Sequence, residues 1–145
     1  MYKKILIPTD GSELSAMAAQ HAVDLARHFG SELVILTVTA PWGAIAIGEI
    51  AVALPQAEYE TRAEQNAQAF LKAVNDKAAE AGVNSQTIHV RETNPYEAII
   101  ATAQDKGCDL IVMGSHGRRG IEGFFLGSET VDVLTHSKVP VLVYR

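Results

Sequence analysis

Three short stretches of this chain are apolar on successive residues: Ile5-Leu6-Ile7, Leu33-Val34-Ile35-Leu36 and Leu110-Ile111-Val112-Met113. A strand with one face in water alternates apolar and polar side chains, whereas a strand covered on both faces does not need to. Unbroken runs of this length therefore predict parallel strands with helices above and below. The expected strands are residues 4–8, 32–38, 84–90, 109–113 and 140–144, the third more polar and so nearer an edge. Between them, Leu14, Ala18, Ala22, Leu25 and Phe29 repeat at helical spacing and stop at Gly30. A second stripe runs through Tyr59, Ala63, Ala67, Phe70, Leu71, Val74 and Ala78 and ends before Gly82. A third helix opens at Asn94-Pro95-Tyr96-Glu97, with a capping residue, proline at the first helical position and glutamate at the third. A fourth, short helix is expected over 128–136. The order β-α-β-α-β-α-β-α-β, wound with right-handed crossovers, predicts an α/β fold: an open, doubly wound, five-stranded parallel sheet with helices on both faces. With 145 residues and no repeat, residues 1–145 are read as one domain.

Composition narrows the function. Apolar residues at 48% and charged residues at 20% suit a globular chain, not a disordered or fibrous one. A net charge of −5 argues against broad contact with nucleic acid or anionic membranes, which need basic patches. The single cysteine, Cys108, permits no intrachain disulfide and suits a reducing compartment; nothing beside it in sequence would activate a thiolate, so it reads as packing. Met1-Tyr2-Lys3-Lys4 leads into only three apolar residues before Pro8, short of the apolar core of about 7–15 residues in a secretory signal. The apolar stretch 40–55 is interrupted by Pro41, Gly43, Gly48 and Glu49, and is too short for a membrane span of about 20 residues. A cytoplasmic protein without membrane insertion is expected.

Ligands of doubly wound sheets sit beyond the carboxyl ends of the strands. After the fourth strand comes Gly114-Ser115-His116-Gly117-Arg118-Arg119-Gly120-Ile121-Glu122-Gly123-Phe124-Phe125-Leu126-Gly127-Ser128, which holds five of the eleven glycines. Such a loop lets a ligand approach bare backbone. The helix that follows offers unpaired amides and the positive end of its dipole to an anion. Each amide-to-phosphate bond is worth about 1.5–3 kcal/mol where well formed. The same glycines also suit ordinary turns, with Ser128 as a simple N-cap. Neither GxxxxGK[ST] nor GxGxxG is present, so a Walker NTPase and an ordinary Rossmann dehydrogenase are poorly supported.

The spacing Gly114-x2-Gly117-x9-Gly127-Ser128 closely resembles the nucleotide-binding motif of the universal stress protein A family, in its ATP-binding branch. The resemblance extends along the chain, from KILIPTDGS at 4–12 through DLIVMGSHGR at 109–118 to KVPVLVYR at 138–145. It implies a Rossmann-like sheet of the adenine nucleotide alpha hydrolase type with strand order 3-2-1-4-5, and ATP, or AMP or ADP, across the ends of strands 1, 2 and 4. By resemblance, Pro8, Thr9 and Asp10 would line the nucleotide after strand 1, and Val38 would meet the adenine through its backbone. Met113, Gly114, His116 and Gly117 would wrap the ribose and inner phosphates, with Gly127, Ser128 and Thr130 capping the distal ones. Asp10 would accept a ribose hydroxyl or join a Mg2+ shell carried with the nucleotide, since carboxylates suit hard cations. The family also implies a homodimer paired through the edge of strand 5, and a regulated partner protein that the sequence does not name.

Other readings stand beside these. Asp10 and Glu13 fit a helix-capping pair, and His116 fits a solvated loop. Arg118 and Arg119 are either exposed or folded onto phosphate. Glu129, a carboxylate where the family commonly has a small or aliphatic residue, is expected to face away from the phosphates. His21 and His28 share one helix face without a third ligand and read as surface residues; His89 and His136 carry no motif. The functional readings are a nucleotide-dependent regulatory module in stress response and, as the alternative, a slow ATPase or autophosphorylating enzyme with Asp10 and His116 as participants. A flavin-carrying or adenylating relative lacks its SGGxDS, HIGH and KMSKS signatures here. The apolar stretch 41–55 has three candidate roles: covering the nucleotide, docking a partner subunit, or forming a buried helix.

Overall fold

The computed structural model describes residues 1–44, 54–117 and 126–145. The centre of the apolar 41–55 stretch, residues 45–53, and Arg118 and Arg119 lie outside the described residues. The elements follow the predicted alternation: β1 (Lys4–Pro8), α1 (Glu13–Phe29), β2 (Glu32–Thr39), α2 (Gln56–Glu80), β3 (Ser85–Arg91), α3 (Pro95–Lys106), β4 (Leu110–Gly114), α4 (Ser128–His136) and β5 (Val141–Tyr144). All neighbouring strands are parallel, in the order β3-β2-β1-β4-β5. This is the doubly wound sheet expected, with the more polar β3 at one edge.

The two faces of the sheet sort by the two-residue period of strands. Ile5, Ile7, Leu33, Ile35, Leu110 and Val112 point to one side, where they pack on Ala19, Val23 and Ala26 of α1 and Leu71, Val74 and Ala78 of α2. Leu6, Val34, Leu36, Ile111 and Met113 point to the other, against Ile99 and Ala103 of α3 and Val133 of α4. The winding explains the division. From β1 the chain steps outward to β2 and β3, then returns past β1 to β4 and β5, so crossovers of one hand fall on opposite faces. Among the described residues, no helix is long and apolar enough to cross a membrane. Cys108 is buried against the second face, and burial pushes its thiol up to about 11, which leaves an inert packing group.

Two local devices set the sheet's geometry. Gly30 ends α1 with φ 69°, a left-handed conformation that glycine adopts without steric cost. At the start of the central pair, the Asp109 carboxylate accepts the Lys3 amide at 2.9 Å and the Lys4 amide at 3.1 Å, while Asp109 N–H donates to the Lys4 carbonyl at 2.9 Å. These bonds clamp β1 to β4 at their amino ends. The register pairs of β1 with β4 are Ile5↔Leu110 and Leu6↔Ile111, whereas β1 pairs with β2 from Lys4 through Pro8. Pro8 has no N–H to extend a ladder. The central strands are thus tied at the bottom and unpaired at the top, between Pro8 on one side and Met113-Gly114 on the other.

Candidate functional site

Where β1 and β4 part, a cavity opens with about 650 Å³ of empty space, part of it facing solvent. Nine of the residues expected from sequence line it: Pro8, Thr9 and Asp10 after β1, Val38 on β2, Met113, Gly114, His116 and Gly117 from β4 onward, and Thr130 on α4. Gly127 and Ser128 are not part of the lining. Ser15, Leu36, Pro95, Ile99 and Glu129, which the sequence did not place there, are the other described residues of the lining. The missed signal was Asn94-Pro95: a helix starting directly after β3 brings its own amino end to the same rim of the sheet.

The floor is held by a short polar network. Thr9 N–H donates to the Leu36 carbonyl at 2.8 Å, and the Thr37 hydroxyl donates to the Thr9 carbonyl at 2.9 Å, so the turn after β1 is anchored on β2. Asp10 does not cap α1. The capping residue is Ser12, whose hydroxyl accepts the Ser15 amide at 3.2 Å, while Asp10 accepts the Ser12 amide at 2.9 Å in a local turn. The reason is geometric. Gly11, with φ 76°, turns the backbone between Asp10 and Ser12, and a Cβ there would run into the Phe70 ring.

The glycines of the motif are places of close approach. A Cβ on Gly117 would lie 2.5 Å from Asp10 Oδ2, so the residue opposite this carboxylate has no room for a side chain. A Cβ on Gly127 would lie 3.1 Å from the His116 Cα, and one on Gly114 would lie 3.2 Å from Leu14 Cγ. Gly127 also stands as the N-cap of α4, which makes Ser128 the first helical residue and not the cap. The Gly127 N–H is committed to the Ser115 carbonyl at 2.7 Å. The first helical bond of α4 runs from Val131 N–H to the Gly127 carbonyl at 3.1 Å. The amides of Ser128, Glu129 and Thr130 precede it and lack partners within the helix.

Thr130 is buried, and its hydroxyl lies 3.0 Å from the Gly114 carbonyl and 3.1 Å from that of Ser115. This side chain ties the start of α4 to the end of β4, leaving the backbone amide as what Thr130 can offer a ligand. His116 is half-buried, with Nδ1 3.2 Å from the Ser115 hydroxyl. Glu129 does not face away. Glu129 is part of the cavity lining, and its carboxylate accepts the Tyr96 amide at 2.8 Å, which joins the amino ends of α3 and α4. Burial pushes its pKa up, against the lowering effect of that hydrogen bond. The position at the second residue of α4 brings the side chain back toward the preceding turn and hence to the rim, which explains the reversal of expectation.

Chemically, the cavity combines an apolar slot between Val38, Leu36 and Ile99 with a polar end formed by Asp10, His116 and the free amides of α4. Among the described residues it has no lysine or arginine in its lining. No cluster of three or more metal-ligating side chains occurs among the described residues. What the described residues offer an anion here is the His116 ring and the backbone amides at the start of α4. Because the Thr130 hydroxyl ties the start of α4 to the end of β4, Thr130→Val should destabilise the fold by about 1–3 kcal/mol, leaving the buried Gly114 carbonyl short of a donor while that of Ser115 keeps the Gly127 N–H. Urea unfolding should show the midpoint falling with an unchanged slope; a midpoint at the wild-type value would mean that the hydroxyl bonds carry no weight.

Against known proteins, the model of the "Universal stress protein family" matches residues 1–145. The universal stress protein MJ0531 of Methanocaldococcus jannaschii is 37% identical, over all of this chain and 83% of its own. The universal stress protein YxiE of Bacillus subtilis is 33% identical over the whole of both chains. The solved structure of MJ0577, also from M. jannaschii, superposes with a TM-score of 0.83 at 31% identity, covering 99% of this chain and 96% of that one. A universal stress protein solved in complex with cAMP superposes with a TM-score of 0.71 at 27% identity, covering 99% and 97%. Matched by the family model from its first residue to its last, the chain belongs to the universal stress protein family.

Proposed function

We propose that this protein binds an adenine nucleotide, ATP foremost, in the crevice between the parted ends of β1 and β4, and that nucleotide occupancy regulates its contact with a partner protein in stress response. The observation that carries this reading is the cavity itself: it lies at the strand-order reversal and gathers nine of the eleven residues that the family resemblance implies. The cAMP complex of a relative supports an adenine ring in this class of site. Adenine fits the apolar slot, with the backbone of Val38 offering hydrogen bonds to its edge. The phosphates run toward α4, where the amides of Ser128, Glu129 and Thr130 take the capping role that the resemblance implied for Gly127, Ser128 and Thr130; the amide of Gly127 is occupied.

Asp10 suits a magnesium ion that arrives with the nucleotide. One carboxylate beside phosphate oxygens matches the preference of Mg2+ for few protein ligands and retained water. Glu129 works against binding, because its charge shares the rim with the phosphates. Lowering the pH into the raised range of Glu129 neutralises that charge, so affinity should rise as pH falls.

At about 100 times its dissociation constant, Mg-ATP should add roughly 2.7 kcal/mol of stability and raise the melting temperature by about 5–10 °C. Gly117→Val, which drives a side chain into Asp10, should abolish the shift. Glu129→Gln should tighten binding about three- to tenfold at neutral pH, or roughly 0.6–1.4 kcal/mol, and flatten the pH dependence that wild type shows. An unmoved melting curve for wild type, or a wild-type response from Gly117→Val, would overturn the assignment.

The edge of β5 supports a homodimer. Pro140 and Tyr144 turn their carbonyls toward β4, accepting from Ile111 and Ser115 at 2.9 and 2.8 Å. Strand groups alternate in direction, so the N–H and C=O of Val141 and Val143 face the open edge, a template for a second copy. Val143→Pro removes one outward N–H and leaves the β4 ladder intact. Light scattering should show a dimer for wild type and a monomer for this variant; a dimer in both would rule out pairing along this edge.

A further inference from the structure

A second chemical array lies at the β2–β3 edge of the sheet, outside the lining of the nucleotide crevice. Thr39, the last residue of β2, has its hydroxyl oxygen 2.7 Å from Nε2 of His89 on β3. The other ring nitrogen of His89, Nδ1, lies 2.8 Å from Glu64 Oε2 on α2. Glu64 Oε1 accepts the Gln68 side-chain amide at 2.9 Å. The hydrogen bonds from Gln68 and His89 hold the Glu64 carboxyl below its ordinary range, so it is an acceptor only. Nδ1 then carries a proton toward Glu64. In the neutral imidazole the Nε2 lone pair faces the Thr39 hydroxyl, so that Thr39 gives to His89 and His89 gives to Glu64. The His89 side chain is only 9% exposed, which shields the imidazole from competing water.

Thr39 opens into its own cavity, with about 400 Å³ of empty space, whose walls include Pro41, Trp42, Tyr59, Glu60, Ala63 and Arg91. The two aromatic walls are held in place. Tyr59 donates its hydroxyl to the Ala40 carbonyl at 2.7 Å, and Trp42 donates its indole N–H to the Leu54 carbonyl at 3.2 Å. Arg91, the register partner of Thr39, is the one cation among the described lining residues. Its contact with Glu64, at 3.8 Å between exposed groups, is too long and too wet to hold it there.

We infer that Thr39, His89 and Glu64 form a nucleophile, base and positioning residue that accept an acyl group from small esters or thioesters, with aromatic or aliphatic acyl donors lodging between Trp42 and Tyr59. Nucleophile and base within hydrogen-bond reach, with the base oriented by a third group, is the arrangement that activates a hydroxyl. The Thr39 oxygen attacks the carbonyl carbon as its proton passes to His89 Nε2. The bond from that carbon to the departing oxygen or sulfur breaks, and His89 returns the proton to the leaving group. Water then attacks the threonine ester, giving its proton to His89, which returns it to the Thr39 oxygen and releases the acid. Glu64 holds the imidazole in the required tautomer throughout and balances its transient charge. Arg91 supplies positive charge for the carbonyl oxygen as it becomes an oxyanion.

The test is p-nitrophenyl acetate with the full chain. A burst of nitrophenolate equal to the protein concentration should appear, and peptide mass spectrometry should find one acetyl group on Thr39. Thr39→Val should lose both, while Thr39→Ser should retain them, and the melting shift with Mg-ATP should be the same in all three proteins. His89→Gln should slow acylation on the order of 100-fold. Glu64→Gln should slow it as well and should erase the downfield Nδ1 proton resonance of His89, a signature that simple packing would not produce. Acetylation confined to lysines or the amino terminus, or nitrophenolate release by Thr39→Val at the wild-type rate, would overturn the inference.

Discussion

The parting of β1 from β4 is the constraint on which the site depends. Asp109 locks the two strands together at their amino ends, and the register pairs end at Leu6↔Ile111. Beyond that point Pro8 supplies no donor, and the backbone on either side turns outward into loops. A parallel sheet buried on both faces has few places where a ligand can reach backbone. Here the winding reverses at β1, so no crossover helix covers the gap, and the amino ends of α3 and α4 converge on its rim. The crevice is a consequence of connectivity before it is a matter of side chains.

Much of this was legible in the order of residues. Consecutive apolar residues in β1, β2 and β4 announced burial on both faces, and the polar character of β3 announced an edge. Gly30 and Asn94-Pro95 marked helix ends because their backbone preferences are strong and local. Glycine spacing was legible for a different reason. Gly114, Gly117 and Gly127 sit where other atoms come too near for a Cβ, a demand that leaves a mark at fixed intervals.

What escaped the sequence depends on partners far apart along the chain. Nothing local shows that Glu129 reaches the Tyr96 amide, or that the Gly127 amide is spent on Ser115. The capping pair read at Asp10 and Glu13 failed because Ser12 competes for the same role and the left-handed Gly11 redirects Asp10. His89 carried no motif, since Thr39 and Glu64 are 50 and 25 residues away. Only the register of β2 with β3 and the packing of α2 on that edge bring the three together. The two arrays differ in kind: the crevice gathers backbone amides at a helix start, and the β2–β3 edge gathers a relay of side chains.

The central claim is that bare amides at the start of α4, without a lysine, hold the charged end of a nucleotide whose base lies between β2 and α3. A crystal structure of the protein grown with Mg-ATP tests it most directly. The expected density places adenine beside Val38 and Ile99, with phosphate oxygens within hydrogen-bond distance of the amides of Ser128, Glu129 and Thr130. Nucleotide found elsewhere on the molecule, or phosphates turned away from α4 toward lysine or arginine side chains, would contradict it.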